Sequence, residues 1–268
     1  MIDSHLKSKR KHLVALLKQF DSLMVAFSGG VDSTFLLSMA HEVLQNNLIA
    51  ITADSPLHPE WEKKEAIEFA KNLGVKHLII SSKEMTLSEF RKNPKDRCYI
   101  CKKMLFEELL SIAKDQGIEH ISHGATVDDL DDFRPGFIAA KEWGIKAPLI
   151  DAKLTKDDIR ILSKEMNLKT WNKPSMACFA TRIPYGKLIT KKNLKMVARA
   201  EKTILDLGFT SCRVRLHDKM ARIEINLEEL EKILDPKNRI IIIKEFRKIG
   251  FLYVAVDLEG YTQGSMNK

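Results

Sequence analysis

The residues best placed to do chemistry begin with Ser28-Gly29-Gly30-Val31-Asp32-Ser33. They follow an apolar run, Leu23-Met24-Val25-Ala26-Phe27, and precede a helical pattern from Thr34 to Ala40. A buried strand, a Gly-rich turn and a helix start thus come in succession. Backbone N–H groups at a helix start have no intrahelical partner and sit at the positive end of the helix dipole. Glycines let that backbone approach a ligand closely, so such a turn can cradle phosphates. The segment is not a Walker loop, because no lysine follows Gly30, and G-x-G-x-x-G is absent. A nucleotide-using protein is the expectation.

Two further constellations stand apart from this loop. Arg97-Cys98-Tyr99-Ile100-Cys101-Lys102 carries a C-x-x-C pair, close enough for one metal or a redox disulfide. A third cysteine, Cys178, lies in a stretch of small and turn residues, Pro174 to Gly186, suited to an active-site loop. Thr126-Val127-Asp128-Asp129-Leu130-Asp131-Asp132-Phe133-Arg134 places four carboxylates in five residues. They repel one another unless a cation is near, and Mg²⁺ is the natural candidate beside a phosphate loop. An exposed acidic loop is the plain alternative.

The elements that must position these residues alternate. Helix is expected over 3–20, 59–73 and 102–116. Strands are expected at 23–27, 48–54, 77–82 and 120–125, with a short fifth at 147–150. Strands alternating with helices imply an α/β fold, a parallel sheet with helices on both faces. Ligands in such sheets bind beyond the carboxyl ends of the strands, where Ser28, Asp54 and the segment after Ala125 would converge. After about residue 187 the order becomes α-β-β-α-β: helix 191–207, strands near 212–217 and 221–226, helix 237–249 and strand 251–256. A small C-terminal α+β domain is expected, giving domains 1–187 and 188–268.

Bulk properties narrow the class. The 268 residues, 44% hydrophobic, suit one or two globular domains. No apolar run approaches the ~20 residues of a membrane span, and the first residues lack a signal-peptide pattern. Cytoplasm is the expected compartment, where cysteines serve as thiols, ligands or catalysts. The formal charge of +8 is dispersed among 36 acidic residues. Its clusters, Lys7 to Lys11 and Lys191-Lys192, lack interleaved aromatics and read as solvated helix faces more readily than as RNA-binding patches; a basic surface also suits small anionic substrates, and charge alone does not separate these readings.

The hexapeptide resembles the PP-loop of the ATP pyrophosphatases, which split ATP between the α and β phosphates and usually adenylate a substrate oxygen. The full set of motifs is more specific. S-G-G-V-D-S, R-C-Y-x-C-K, D-D-x-x-D-x-R-P-G, K-P-x-x-A-C-x-A-[ST]-R-I-P-Y-G and the ending Glu259 to Asn267 resemble the LarE family of ATP-dependent sacrificial sulfur transferases. The resemblance spans Ser28 to Asn267 and implies ATP binding by Ser28, Gly29, Gly30, Val31, Asp32, Ser33, Asp54 and Gly124. Mg²⁺ is assigned to Asp32 and Asp128.

The implied substrate is a pyridinium mononucleotide with two carboxylates, a precursor of the nickel-pincer cofactor of lactate racemase. Adenylation of a carboxylate would be followed by sulfur attack, giving a thiocarboxylate. In one family variant the cysteine equivalent to Cys178 surrenders its own sulfur and becomes dehydroalanine. In another, three cysteines hold a [4Fe-4S] cluster that carries exogenous sulfide. Cys98, Cys101 and Cys178 favour the cluster, and a sulfide donor with it. Cys212 is read as a packed thiol. Arg182, Arg213, Arg215 and Arg134 are the expected substrate-binding cations, with Glu201 a weaker candidate whose plain reading is a solvent-facing helix residue. For Arg213 and Arg215 the plain reading is a solvated strand face. The family also implies a homo-oligomer. A tRNA thiolase and an ammonia-dependent amidating ligase are the rival readings; the first would want an RNA-binding domain, and the second leaves three cysteines idle.

Overall fold

A computed structural model of the chain describes residues 3–130, 135–174 and 176–262. In chain order its main elements are α1 (Ser4–Leu17), β1 (Leu23–Ala26), α2 (Val31–Leu44), β2 (Leu48–Asp54), α3 (Glu60–Leu73), β3 (Lys76–Ser81), α4 (Ser88–Arg91), α5 (Arg97–Asp115), β4 (His120–His123), α6 (Pro135–Glu142), α7 (Pro148–Asp151), α8 (Lys156–Glu165), α9 (Lys191–Asp206), β5 (Cys212–His217), β6 (Met220–Ile225), α10 (Leu230–Leu234), α11 (Pro236–Ile249) and β7 (Tyr253–Val256). By their internal contacts they form two compact units. One comprises Met1–Glu84 and Asp96–Met176; the other comprises Met85–Lys95 and Ala177–Lys268.

The first unit holds a four-stranded parallel sheet in the order β3-β2-β1-β4. Its central strands are near-continuous apolar runs, the mark of strands covered on both faces. Alternation sends side chains to opposite sides. Leu23 and Val25 of β1, with Leu48 and Ala50 of β2, join a core with α1, α2, α3 and α8. Met24, Ile49 and Ile51 join the opposite core, with Phe106 and Leu109 of α5 and Ala139 and Ala140 of α6. The α/β class and the small second domain with a mixed sheet are therefore present. In the second unit β5 and β6 pair antiparallel and β6 and β7 pair parallel.

Two local expectations change. The short fifth strand at 147–150 is instead α7, because Pro148 lacks an N–H for a ladder and suits the first helical turn. Lys146, just before it, forms an isolated parallel bridge at the sheet edge, opposite Ser122. Helix α5 begins at Arg97 rather than residue 102, so both cysteines of the C-x-x-C pair lie in its first turns.

Candidate active site

Central strand β1 delivers Ser28 to the carboxyl edge of the sheet, flanked by β2 and β4. There the chain closes on itself. The Ser28 and Ser33 hydroxyls lie 3.0 Å apart, and the Gly30 N–H donates to Ser28 Oγ at 3.3 Å. Ser33 Oγ donates to the Gly30 carbonyl. Gly30 is the N-cap of α2, so Val31, Asp32 and Ser33 occupy the helix's first turn. The result is a ring of N–H and O–H groups at a helix N-terminus, suited to phosphate.

Two glycines here are demanded by geometry. Gly29 has φ +74°, and a Cβ on it would stand 3.1 Å from Ala66 Cβ of α3. A Cβ on Gly124, just past β4, would meet the Ser33 backbone nitrogen at 2.8 Å and Asp32 carbonyl carbon at 3.1 Å. Gly124 therefore lets the neighbouring strand end press directly on the phosphate loop. Asp54 ends β2 and pairs with Lys63 at 2.8 Å, at the exposed rim.

Asp32 has its carboxyl pushed up to about 6, by burial first and then by the charges of Asp129 and, less, Asp128, with Lys156 and Arg160 opposing. Asp129 is itself committed: its carboxylate accepts from the Thr126 N–H and hydroxyl and pairs with Lys156 Nζ at 2.9 Å. Asp128 accepts the Lys156 N–H at 2.7 Å. Ionised Asp32 is thus destabilised by its own burial and by neighbours of like charge, an imbalance that a divalent cation would reverse. The donor set fits Mg²⁺. Asp131, Asp132 and Arg134 lie outside the described residues.

The cysteines divide between the units. Cys98 is exposed and Cys101 half-buried. Three residues apart on α5, they share a helix face, which suits two ligand positions. Among the described residues no three His, Cys, Asp or Glu side chains gather as one metal site. Cys178 belongs to the second unit, where it caps a 3₁₀ turn over Phe179–Arg182.

Arg182 is the last residue of that turn and is fully buried. Its Nε and NH2 grip Glu201 at 2.8 and 3.1 Å, while NH1 donates to the carbonyls of Ala177 and Cys178 and to Thr181 Oγ1. Glu201 also accepts the Val214 N–H at 2.9 Å. Each end of the ion pair is thus hydrogen-bonded as well as charge-matched, as a buried pair must be. Arg182 works as a positioning residue for the backbone around Cys178. Glu201 corrects the solvent-facing reading: it is 1% exposed and ties α9 to both β5 and the cysteine turn.

The solvated-face reading of β5 also gives way. Arg213 and Arg215 are both buried. Arg215 forms a two-pronged pair with Glu224 of β6, at 3.0 and 2.7 Å, and donates to the Thr181 carbonyl. Arg213 stacks over the Tyr261 ring, its centroid 4.8 Å away, and burial followed by the nearby Arg182 lowers its guanidinium pKa. Cys212 is packed, its thiol pushed well up by burial and then by Glu201.

Sequence reasoning passed over Asn93. It is fully buried with φ +56°, and its side-chain amide donates to the carbonyls of Ile183 and Pro184. The Gly186 N–H returns a bond to its carbonyl. It holds the R-I-P-Y-G turn from 90 residues away, and no local pattern signals that. Lys173 stands out in the sequence only as the first residue of the K-P-x-x-A-C motif.

Parallel sheet, glycine loop and carboxylate cluster together define a PP-loop enzyme that works on ATP. Residues 2–131 match the PP-loop domain family. The chain is 36% identical, over 98% of its length and 95% of the relative's, to the pyridinium-3,5-bisthiocarboxylic acid mononucleotide synthase of Lactiplantibacillus plantarum. It belongs to the LarE family of ATP-dependent sulfur transferases. An uncharacterized protein of Synechocystis is 38% identical over 98% of both chains. A glutamine-hydrolyzing GMP synthase of Aeropyrum pernix is 26% identical over 68% of this chain and 39% of that protein. Among the described residues no helix is long and apolar enough to cross a membrane.

Proposed function

We propose that this enzyme converts a carboxylate of pyridinium-3,5-biscarboxylic acid mononucleotide to a thiocarboxylate. The carrying observation is the pairing of a complete phosphate loop with a near full-length likeness to a synthase of the bisthiocarboxylic product. A bare carboxylate is a poor electrophile. In the proposal its oxygen attacks the α-phosphorus of ATP, pyrophosphate leaves, and an acyl adenylate forms. A sulfur nucleophile then attacks the acyl carbon, and AMP departs with the C–O electron pair. Ser28 to Ser33, Asp54 and Gly124 hold ATP, and Asp32 with Asp128 would hold Mg²⁺. Arg213 and Arg215, with Arg134, serve the substrate's phosphate and carboxylates. Arg182 and Glu201 act behind them by fixing the Cys178 backbone. In functional terms residues 1–187 activate, and 188–268 bind substrate and assemble the homo-oligomer, in the cytoplasm.

The sulfur source is the finer part of the proposal. A [4Fe-4S] cluster on Cys98, Cys101 and Cys178 would supply an iron site free of protein ligands, able to present sulfide from an external donor. The two thiols on one face of α5 support this reading, because the sacrificial route has no use for them. In that rival route Cys178 Sγ attacks the adenylate, and cleavage of its Cβ–Sγ bond leaves dehydroalanine. Anaerobic iron and sulfide analysis beside intact-protein mass after turnover tests both. About four irons per chain with unchanged mass supports the cluster. Active, iron-free protein that loses one H₂S per turnover overturns it.

A further inference from the structure

The phosphate loop depends on a peptide whose orientation its own sequence leaves open. Gly29 and Gly30 are adjacent, and neither has a side chain to bias the peptide between them. That peptide is trans, so its carbonyl and N–H point in opposite directions. The Gly30 N–H turns inward, toward Ser28 Oγ, only while the Gly29 carbonyl turns outward. What the carbonyl meets outside is Lys173, whose Nζ donates to it at 3.2 Å.

Lys173 is built into place. Its side chain is only 18% exposed, and its ammonium also pairs with Glu65 at 2.8 Å and approaches Glu62 at 3.8 Å, both on α3. The same helix supplies Ala66, which crowds Gly29. The lysine's backbone is held separately. Arg160 of α8 donates to the carbonyls of Trp171 and Lys173, at 2.8 and 2.9 Å. A half-buried ammonium is costly unless its donors are used, and one is spent on a single loop carbonyl.

We propose that Lys173 is a positioning residue for ATP: its ammonium locks the Gly29–Gly30 peptide with the Gly30 N–H turned into the phosphate cradle. A cation on the carbonyl also polarises the peptide and strengthens that N–H as a donor. This rests on the reading of Ser28 to Ser33 as the ATP loop. Lys173 opens the K-P-x-x-A-C motif that leads to Cys178, so the motif's first residue would serve the ATP half of the reaction and its cysteine the sulfur half.

The test is MgATP binding by calorimetry, with pyrophosphate release measured across ATP concentrations. Lys173→Met should weaken MgATP binding at least about tenfold, the scale of one hydrogen bond to a charged group. Release at saturating ATP should stay within about twofold, since MgATP restores the peptide once bound. Lys173→Arg should recover most of the affinity. If Lys173→Met does not fold, Lys173→Gln against Lys173→Arg carries the same comparison. Wild-type affinity in Lys173→Met or Lys173→Gln overturns the proposal, as does an equal loss in Lys173→Arg. Failure of the wild-type protein to bind MgATP would instead overturn the ATP reading beneath it.

Discussion

The phosphate loop and the Cys178 turn solve the same problem, holding a reactive backbone segment still, by opposite means. The loop is short-range. Its ring of hydrogen bonds joins residues two to five apart, and its shape depends on glycines. The Cys178 turn is held by buried ion pairs, Arg182–Glu201 and Arg215–Glu224, whose members are 19 and 9 residues apart. Charges belong in the second region because each is matched on the spot. In the first, Asp32 is left in surplus beside its acidic neighbours. A site that must receive Mg²⁺ and phosphate gains from such imbalance, and a scaffold does not.

The largest effect expected is chemical. Cys178→Ala should abolish thiocarboxylate formation while pyrophosphate release persists, and Asp32→Ala should remove release itself. Equal loss of both activities in Cys178→Ala would erase the division between the regions. Glu201→Gln should destabilise the chain by about 3–5 kcal/mol, by leaving Arg182 buried and unmatched, as read from chemical denaturation. A loss below ~1 kcal/mol would mean the pair is not holding the turn.

The third prediction concerns pH. His123, at the end of β4 between the Phe106 and Phe137 rings, is held down to about 4, by burial first and then by Lys102. The unfolded chain takes its proton near pH 6.5 and the folded chain only near 4. Stability is therefore full above pH 6.5 and falls as pH drops toward 4, by up to about 3 kcal/mol from this group. Replacing His123 by Gln should flatten that part of the denaturation profile; an unchanged slope would assign it elsewhere. The smallest effect is a control for the ion pairs. Lys202→Ala breaks the exposed Lys202–Asp206 pair on the same helix as Glu201 and should cost under about 0.5 kcal/mol.

The two regions also differed in how much the sequence disclosed. The loop was legible because strand, glycine turn and helix start are contiguous, and each leaves a local pattern. Gly124 was placed at the site, though not the reason, which is the 2.8 Å its Cβ would leave to Ser33 N. Around Cys178 the reading was thinner. The basic residues were visible, but Glu201 and the β5 arginines offered solvated readings, since burial is not written in a residue's neighbours. Asn93 left no local signal, and Lys173 showed only as the first residue of a motif, with nothing to place it at the loop.

The sequence by itself determined the α/β order, the phosphate loop and, through motifs spread from Ser28 to Asn267, the sulfur-transferase family. These rest on hydrophobic period and on short contiguous runs whose residue types leave a local pattern. Only the tertiary structure decided that Arg182 is spent on Glu201, that Asn93 holds the R-I-P-Y-G turn and that Lys173 meets the Gly29 carbonyl. Such pairs join residues 19, 90 and 144 positions apart. Their meeting depends on how whole elements pack, and a buried charge can be used only where that packing brings its partner.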